Sequence, residues 1–344
     1  NFEARTTVDS HEAYFEFIGD LDKSPSDSRT YRLVRLVNGL VVMLVHDAEE
    51  SKACAALDVN VGSLADPHEL QGLAHFCEHL LFMGTKKYPK ENEYNAVSYL
   101  SAHGGYSNAY TDLEDTCYYF EVTYDALGGA LDRFSQFFID PLFTADCTDR
   151  EVRAVDSEHK KNIQNDMWRQ YQLEKELSSP DHPFSMFATG NYDTLSGAAR
   201  RLDVDLRERL LDFHAKYYSA DIMRLVVVGR DSLDQLTEWA VAKFSGIQSK
   251  GLTKPLFKGH PLTAREMGHV IRLKSIRQQR TLDLTFALPD MKPYYRSKPA
   301  QYLGSLLGHE GRGSVLSSLR QRGWATSVVA GRAPMSAEGF DMFK

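Results

Sequence analysis

Cysteine is scarce in this chain: Cys54, Cys77, Cys117 and Cys147 are the only four in 344 residues, and no two form a C-x-x-C pair. They supply no disulfide framework and favour free thiols in a reducing compartment. Long apolar runs are lacking too. None approaches the roughly 18 residues of a membrane-spanning helix, and the longest, such as 225–229, read as buried strand. Positive charge is not in excess. Lys and Arg number 40 against 47 Asp and Glu, a modest net −7 that argues against a nucleic-acid surface and leaves a mild preference for basic or neutral partners. The stretch from Asn1 has neither a basic n-region nor an apolar h-region, so no secretory signal is read there. Without an initiator Met, a targeting segment already removed stays open. What is present, 42% hydrophobic and 25% charged, suits an ordinary globular protein with room for two domains.

The densest chemistry lies in residues 72–84, where His75, Glu78 and His79 form H-x-x-E-H inside an apolar, helix-compatible run. In a helix His75 and His79 stand one turn apart on one face, so two imidazoles can hold one metal ion at about 2.0–2.1 Å each. Glu78 reaches the same side without having to be a ligand. This is the layout of an inverted zinc-peptidase motif. Chance gives such a match on the order of a few hundredths per chain. Two core histidines are the bland alternative, but Leu73, Phe76, Leu80 and Phe82 account for burial without them. Cys77, two residues after His75, points away from the metal face and reads as packing.

A zinc peptidase needs a third protein ligand and an open fourth position. Residues 149–162 read as the start of a helix running towards Leu177, with Thr148 as N-cap and Glu151 completing a capping box. Glu151 and Glu158 are two turns apart on one face. Asp156 falls on the opposite side from Glu158, and His159 about a quarter-turn away. Spacing nominates the two glutamates and does not choose between them; a solvated charged face is the competing reading.

The runs H-F-C-E-H-L-L-F-M-G-T-K-K-Y-P-K-E-N-E-Y, S-N-A-Y-T, G-A-L-D-R-F-S-Q-F-F and R-E-V-R-A-V-D-S-E-H-K-K-N make the chain similar to the pitrilysin family of inverzincin peptidases, from about Tyr31 to the end. The resemblance implies that His75, His79 and Glu158 bind one Zn2+ per chain, that Glu78 is the general base and that Glu151 orients a ligating histidine. It implies a zinc metalloendopeptidase of short or unfolded peptides, insulin-like or pheromone-like. It implies an α/β, layered fold: a mixed, mostly antiparallel sheet packed with helices, followed by a truncated homologous second domain. On the substrate side it points to Asn108 and Ala109 offering main-chain hydrogen bonds, Tyr110 shaping a pocket, and Phe82. It also points to Gly304, Gly308, Glu310 and Val328 at an exosite for the substrate N-terminus. Gln301, Ser305, Ala330 and Arg332 depart from the residues expected there. Implied partners are peptide substrates, the family's C-terminal half and, for the full-length protein, a second copy; nucleic acid and membrane are not expected. The location expected is cytoplasmic, with mitochondrial or peroxisomal as alternatives. The competing function is a non-catalytic member or fragment that binds metal, peptide or partner subunits.

Along the chain, residues 1–28 are polar and read as a partly ordered arm. Residues 32–36 and 40–45 flank Asn38-Gly39, a strong hairpin signal. Strands are expected at 53–61, 107–111, 117–122 and 223–228, and helices at 91–102, 124–138 and 232–244. The catalytic domain is placed at 29–250. A polar, Gly/Pro/Lys-rich linker at 245–261 leads to a partial second domain, 251–344. Its strand, helix, Gly308–Ser314 loop, helix, Gly323, strand order loosely echoes the first and suggests a duplication with a decayed site.

Overall fold

Aromatic residues turn the polar first 28 residues into sheet. The computed structural model describes residues 1–90 and 99–344, and in it β1 (Phe2–Thr6) and β2 (Ala13–Phe17) pair antiparallel within the stretch expected to be a partly ordered arm. Phe2 meets Phe17 edge to face at 5.6 Å, and the Arg35 guanidinium sits over both Phe2 and Phe15. Such cross-strand contacts stabilise an edge ribbon that hydrophobic content alone does not reveal. Then follow β3 (Thr30–Leu36) and β4 (Val41–His46), joined at Asn38-Gly39 as the hairpin signal predicts, with Gly39 at φ +92°. Asn38 also reaches beyond the turn, its amide nitrogen donating to the carbonyls of Phe244 and Ile247, each at 2.9 Å.

β5 (Lys52–Val59) precedes the helix of the histidine motif, α1 (Leu73–Leu81). The expected second helix at 91–102 lies mostly outside the described residues; its end is α2 (Tyr99–Ala102). β6 (Tyr106–Thr111) and β7 (Thr116–Thr123) form a tight antiparallel pair. α3 (Leu127–Ile139) buries Phe134, Phe137 and Phe138 against β7, where Phe120 meets Phe134 at 5.2 Å and Tyr118 meets Phe138 at 5.4 Å.

The next helix departs from expectation. α4 (Ala145–Asn162) begins before Thr148, whose hydroxyl donates back to the Thr144 carbonyl at 2.9 Å, so Thr148 is inside the helix and not its N-cap. The helix also does not run to Leu177. Asn165 accepts from the Met167 N–H at 2.9 Å and starts a separate α5 (Asp166–Glu176). Asn and Asp side chains compete for backbone groups, and the Asn162…Asn165-Asp166 run breaks the helix there. α6 (Ala198–Leu202) and α7 (Leu206–Tyr217) follow, then β8 (Met223–Gly229) and α8 (Leu233–Phe244), the last capped by Ser232.

Among the described residues β1–β8 form one sheet in the order β1-β2-β3-β4-β8-β5-β7-β6, antiparallel except for the β4–β8 pair. This is the mixed, mostly antiparallel sheet the resemblance implies. β6 is its last strand. The chain separates into two compact units: Asn1–His159 with Ala188–Pro255, and Lys160–Phe187 with Leu256–Lys344. The second holds α5, a two-stranded sheet of β9 (Phe286–Leu288) with β10 (Asp341–Phe343), α9 (Pro299–Leu307) and α10 (Val315–Gln321). Its helix, glycine loop, helix order matches expectation, but no strand directly follows Gly323; the pairing strand comes at 341–343.

Candidate metal centre

α1 is anchored at its start by a carboxylate from outside the helix. Asp66 accepts from the N–H groups of Gly72 and Ala74, both at 2.7 Å, satisfying two of the donors that a helix leaves free at its first turn. From that anchored end His75 and His79 rise on one face, their rings edge to face at 4.8 Å. Glu158, on α4, meets them: its Oε2 lies 3.7 Å from the Nε2 of each histidine. Among the described residues, these are the three whose donor atoms, all within 4.8 Å of one another, could hold a metal.

The donor set fits zinc. Two ligands each about 2.0–2.1 Å from a tetrahedral ion stand roughly 3.3–3.4 Å apart, close to the 3.7 Å seen here. Both far ring nitrogens are occupied. His75 Nδ1 lies 2.7 Å from the Thr189 carbonyl, and His79 Nδ1 lies 3.2 Å from Glu151 Oε2. A carbonyl or carboxylate can only accept, so each ring carries a proton on Nδ1 and turns Nε2 towards Glu158. Burial opposes charge on His79, yet the Glu151 and Glu158 carboxylates more than offset it and raise the imidazole to about 9. A metal ion bound there would displace a proton from this ring.

Glu78 is buried and does not join the trio. The Thr111 hydroxyl donates to its Oε2 at 2.6 Å. Burial pushes the Glu78 carboxyl up, while His75, Thr111 and His79 pull it back. Cys77 is buried among core side chains, as its position predicts, and burial pushes its thiol up to about 12. Asp156 accepts from the Tyr192 N–H at 3.1 Å, away from the trio.

Asn108, Ala109 and Tyr110 lie on β6, the edge strand of the sheet among the described residues. Asn108 and Tyr110 are exposed and Ala109 turns towards the core. Phe82, just past α1, packs on Phe137 at 5.2 Å and is half-buried. In the second unit Gly304, Gly308 and Val328 line a cavity of about 1060 Å³. Glu310 does not; it is exposed and lies 3.5 Å from Arg320, which answers its charge. Sequence reasoning passed over three groups: Asp66, the Thr189 carbonyl and the Thr111 hydroxyl. Thr111 had a signal, as the last residue of the edge strand beside the motif; a main-chain carbonyl has none.

The sequence model described as Insulinase (Peptidase family M16) matches residues 41–181, and that of the Peptidase M16 inactive domain matches 205–343. Human insulin-degrading enzyme is 48% identical over 343 residues, 99% of this chain and 33% of that protein. A putative zinc protease, mug138, of Schizosaccharomyces pombe is 53% identical over 304 residues, 88% of this chain and 31% of that protein. The crystal structure of pitrilysin superimposes with a TM-score of 0.85 at 31% identity, over 98% of this chain and 35% of that one. The chain thus spans about a third of the length of the curated relatives it matches. Two consecutive M16 models, a fold shared with pitrilysin and near-half identity along the whole chain lead to one assignment: this chain belongs to the M16 insulinase family of peptidases, the pitrilysin group.

Proposed function

We propose that this chain carries the zinc site and the proton-transferring base of a metalloendopeptidase that cleaves short or unfolded peptides. One observation carries the reading: two histidines with their Nδ1 protons already committed face a single Glu158 oxygen, each from 3.7 Å. Zinc held there would supply Lewis acidity and a bound water with a pKa of about 7. His75, His79 and Glu158 hold the ion, and Glu151 keeps His79 in the required tautomer. Glu78 takes the proton from the attacking water and returns it to the leaving amine. Thr111 steadies that carboxylate, and burial keeps its basicity above that of a solvated glutamate.

β6 supplies the substrate's seat. An extended peptide adds to a free sheet edge through main-chain hydrogen bonds, which favours flexible chains over folded proteins. Tyr110 shapes a side-chain pocket, and Gly304, Gly308 and Val328 line a second peptide contact in which Glu310, already facing Arg320, has a reduced claim on an α-amino group. Turnover by a family-length protein also draws on its remaining two thirds; this chain alone binds zinc and peptide more readily than it turns over.

The test is metal content. The 344-residue chain should hold one zinc, and the His75→Ala, His79→Ala double variant far less than one equivalent. Stoichiometric zinc in that variant sinks the assignment.

A further inference from the structure

Residues 182–204 lie between the stretches matched by the two family models, yet three of them together reach both helices of the metal centre. Thr189 offers its carbonyl to His75 Nδ1 at 2.7 Å. Gly190 packs backbone to backbone on Gly72, the residue that opens α1. The Tyr192 N–H donates to Asp156 Oδ1 at 3.1 Å, on α4 two residues before Glu158. Between them Asn191 closes the turn, exchanging bonds with Thr194 at 3.1 and 2.9 Å.

We propose that Thr189–Tyr192 is a positioning strap: it fixes the ring of His75 and ties the histidine helix to the glutamate helix, so that the three ligand atoms converge before any metal arrives. The inference rests on the zinc reading given above. Its physical basis is the way orientation governs metal affinity. An imidazole whose far N–H is held cannot rotate or change tautomer, and ligands already in place lose little freedom on binding. The histidine motif alone cannot deliver this. It sets the spacing of His75 and His79 along α1 but leaves the distance from α1 to α4 open.

Two glycines make the strap possible. Gly72 has φ +90° and Gly190 has φ +76°, both left-handed. A Cβ on Gly72 would stand 2.2 Å from the Gly190 Cα and 2.4 Å from its nitrogen, so the strap must retreat and carry the Thr189 carbonyl off His75. Gly251 is a matched control: its φ is +67°, and an added Cβ meets nothing within 4 Å. An alanine there adds backbone strain without displacing anything.

The experiment measures zinc affinity of the 344-residue chain by competition with a chromophoric chelator, alongside urea unfolding of the metal-free protein. Gly72→Ala should bind zinc about 10–100-fold more weakly, the range for losing a group that orients a ligand, whereas Gly251→Ala should bind as wild type. Asp156→Ala, which frees the strap from α4, should weaken zinc several-fold, and Asp156→Asn, whose amide oxygen still accepts from Tyr192, should restore it. Should Gly72→Ala fail to fold, the Asp156 pair decides by the same criterion. Wild-type affinity in Gly72→Ala and Asp156→Ala overturns the strap while leaving the zinc site standing. No zinc in the wild-type chain overturns both.

Discussion

A proton's position decides what His75 and His79 can do. With Nδ1–H held by Thr189 and by Glu151, each ring presents Nε2 towards Glu158. Glu78, on the same helix but turned to Thr111, stands outside the trio and in the proposed function moves protons. These assignments separate under substitution in a family-length enzyme. Glu78→Gln should keep zinc and abolish peptide hydrolysis, because the metal stays and the base is gone; zinc content and turnover, measured together, check it, and loss of zinc would make Glu78 a ligand. Glu151→Gln should be milder, lowering zinc affinity or turnover about 10–100-fold through the ring it orients. At this scale much of the candidate site was legible, since His75, Glu78 and His79 sit within about one turn of one helix. Spacing alone stopped at the third candidate ligand. Glu151 and Glu158 share a helix face, and only the approach of α4 to α1 makes Glu158 reach both Nε2 atoms while Glu151 reaches a far nitrogen.

Helices and strands carry their own tests. In α7, His214 lies between Tyr218, stacked at 4.4 Å, and Phe143, edge-on at 5.2 Å, with Nε2 buried and unpaired. Burial, helped by Lys250, lowers this imidazole to about 3. A depressed histidine contributes stability that is whole above its unfolded value of about 6.5 and is lost as pH falls towards the folded value. Between pH 7 and 5 the wild type should therefore lose about 2 kcal/mol more than His214→Leu; urea midpoints at the two pH values measure it. On β6, Ala109→Pro removes a main-chain donor from an edge strand. In a family-length enzyme it should cripple cleavage while zinc content holds, and unchanged cleavage would argue against strand addition. Elements with alternating or capped patterns were legible, such as the Asn38-Gly39 hairpin and the Ser232-capped α8. β1 and β2 were not, because their stabilising contacts pair aromatics with Arg35 across strands far apart in sequence. α7 carried a readable start, Asp205 accepting from the Arg207 and Glu208 N–H groups, in a stretch where no helix was expected.

At the scale of the molecule, the second unit is the less finished surface. Val329 is 91% exposed, Val270 88%, Leu282 85% and Trp324 70%. Apolar side chains this open collect small apolar probes and each other. The 344-residue chain should enhance the fluorescence of an anilinonaphthalene dye, and a Val329→Ser, Trp324→Ser variant should enhance it less; equal enhancement would place the dye elsewhere. The first unit has the opposite character, and its order of assembly follows from one pairing. β8 is the strand between β4 and β5, so it joins the β1–β4 ribbon to the β5–β7–β6 ribbon, and it lies at residues 223–229. Everything that builds the metal centre, from α1 through α4 to Thr189, is encoded before it. On a ribosome, a nascent chain that has emerged only as far as residue 222 owns every candidate ligand but has two separate ribbons with no shared edge. Long-range pairing of this kind is slow and leaves strand edges open meanwhile. Translation must deliver β8 before the two halves of the sheet, and the helices resting on them, can close into one scaffold.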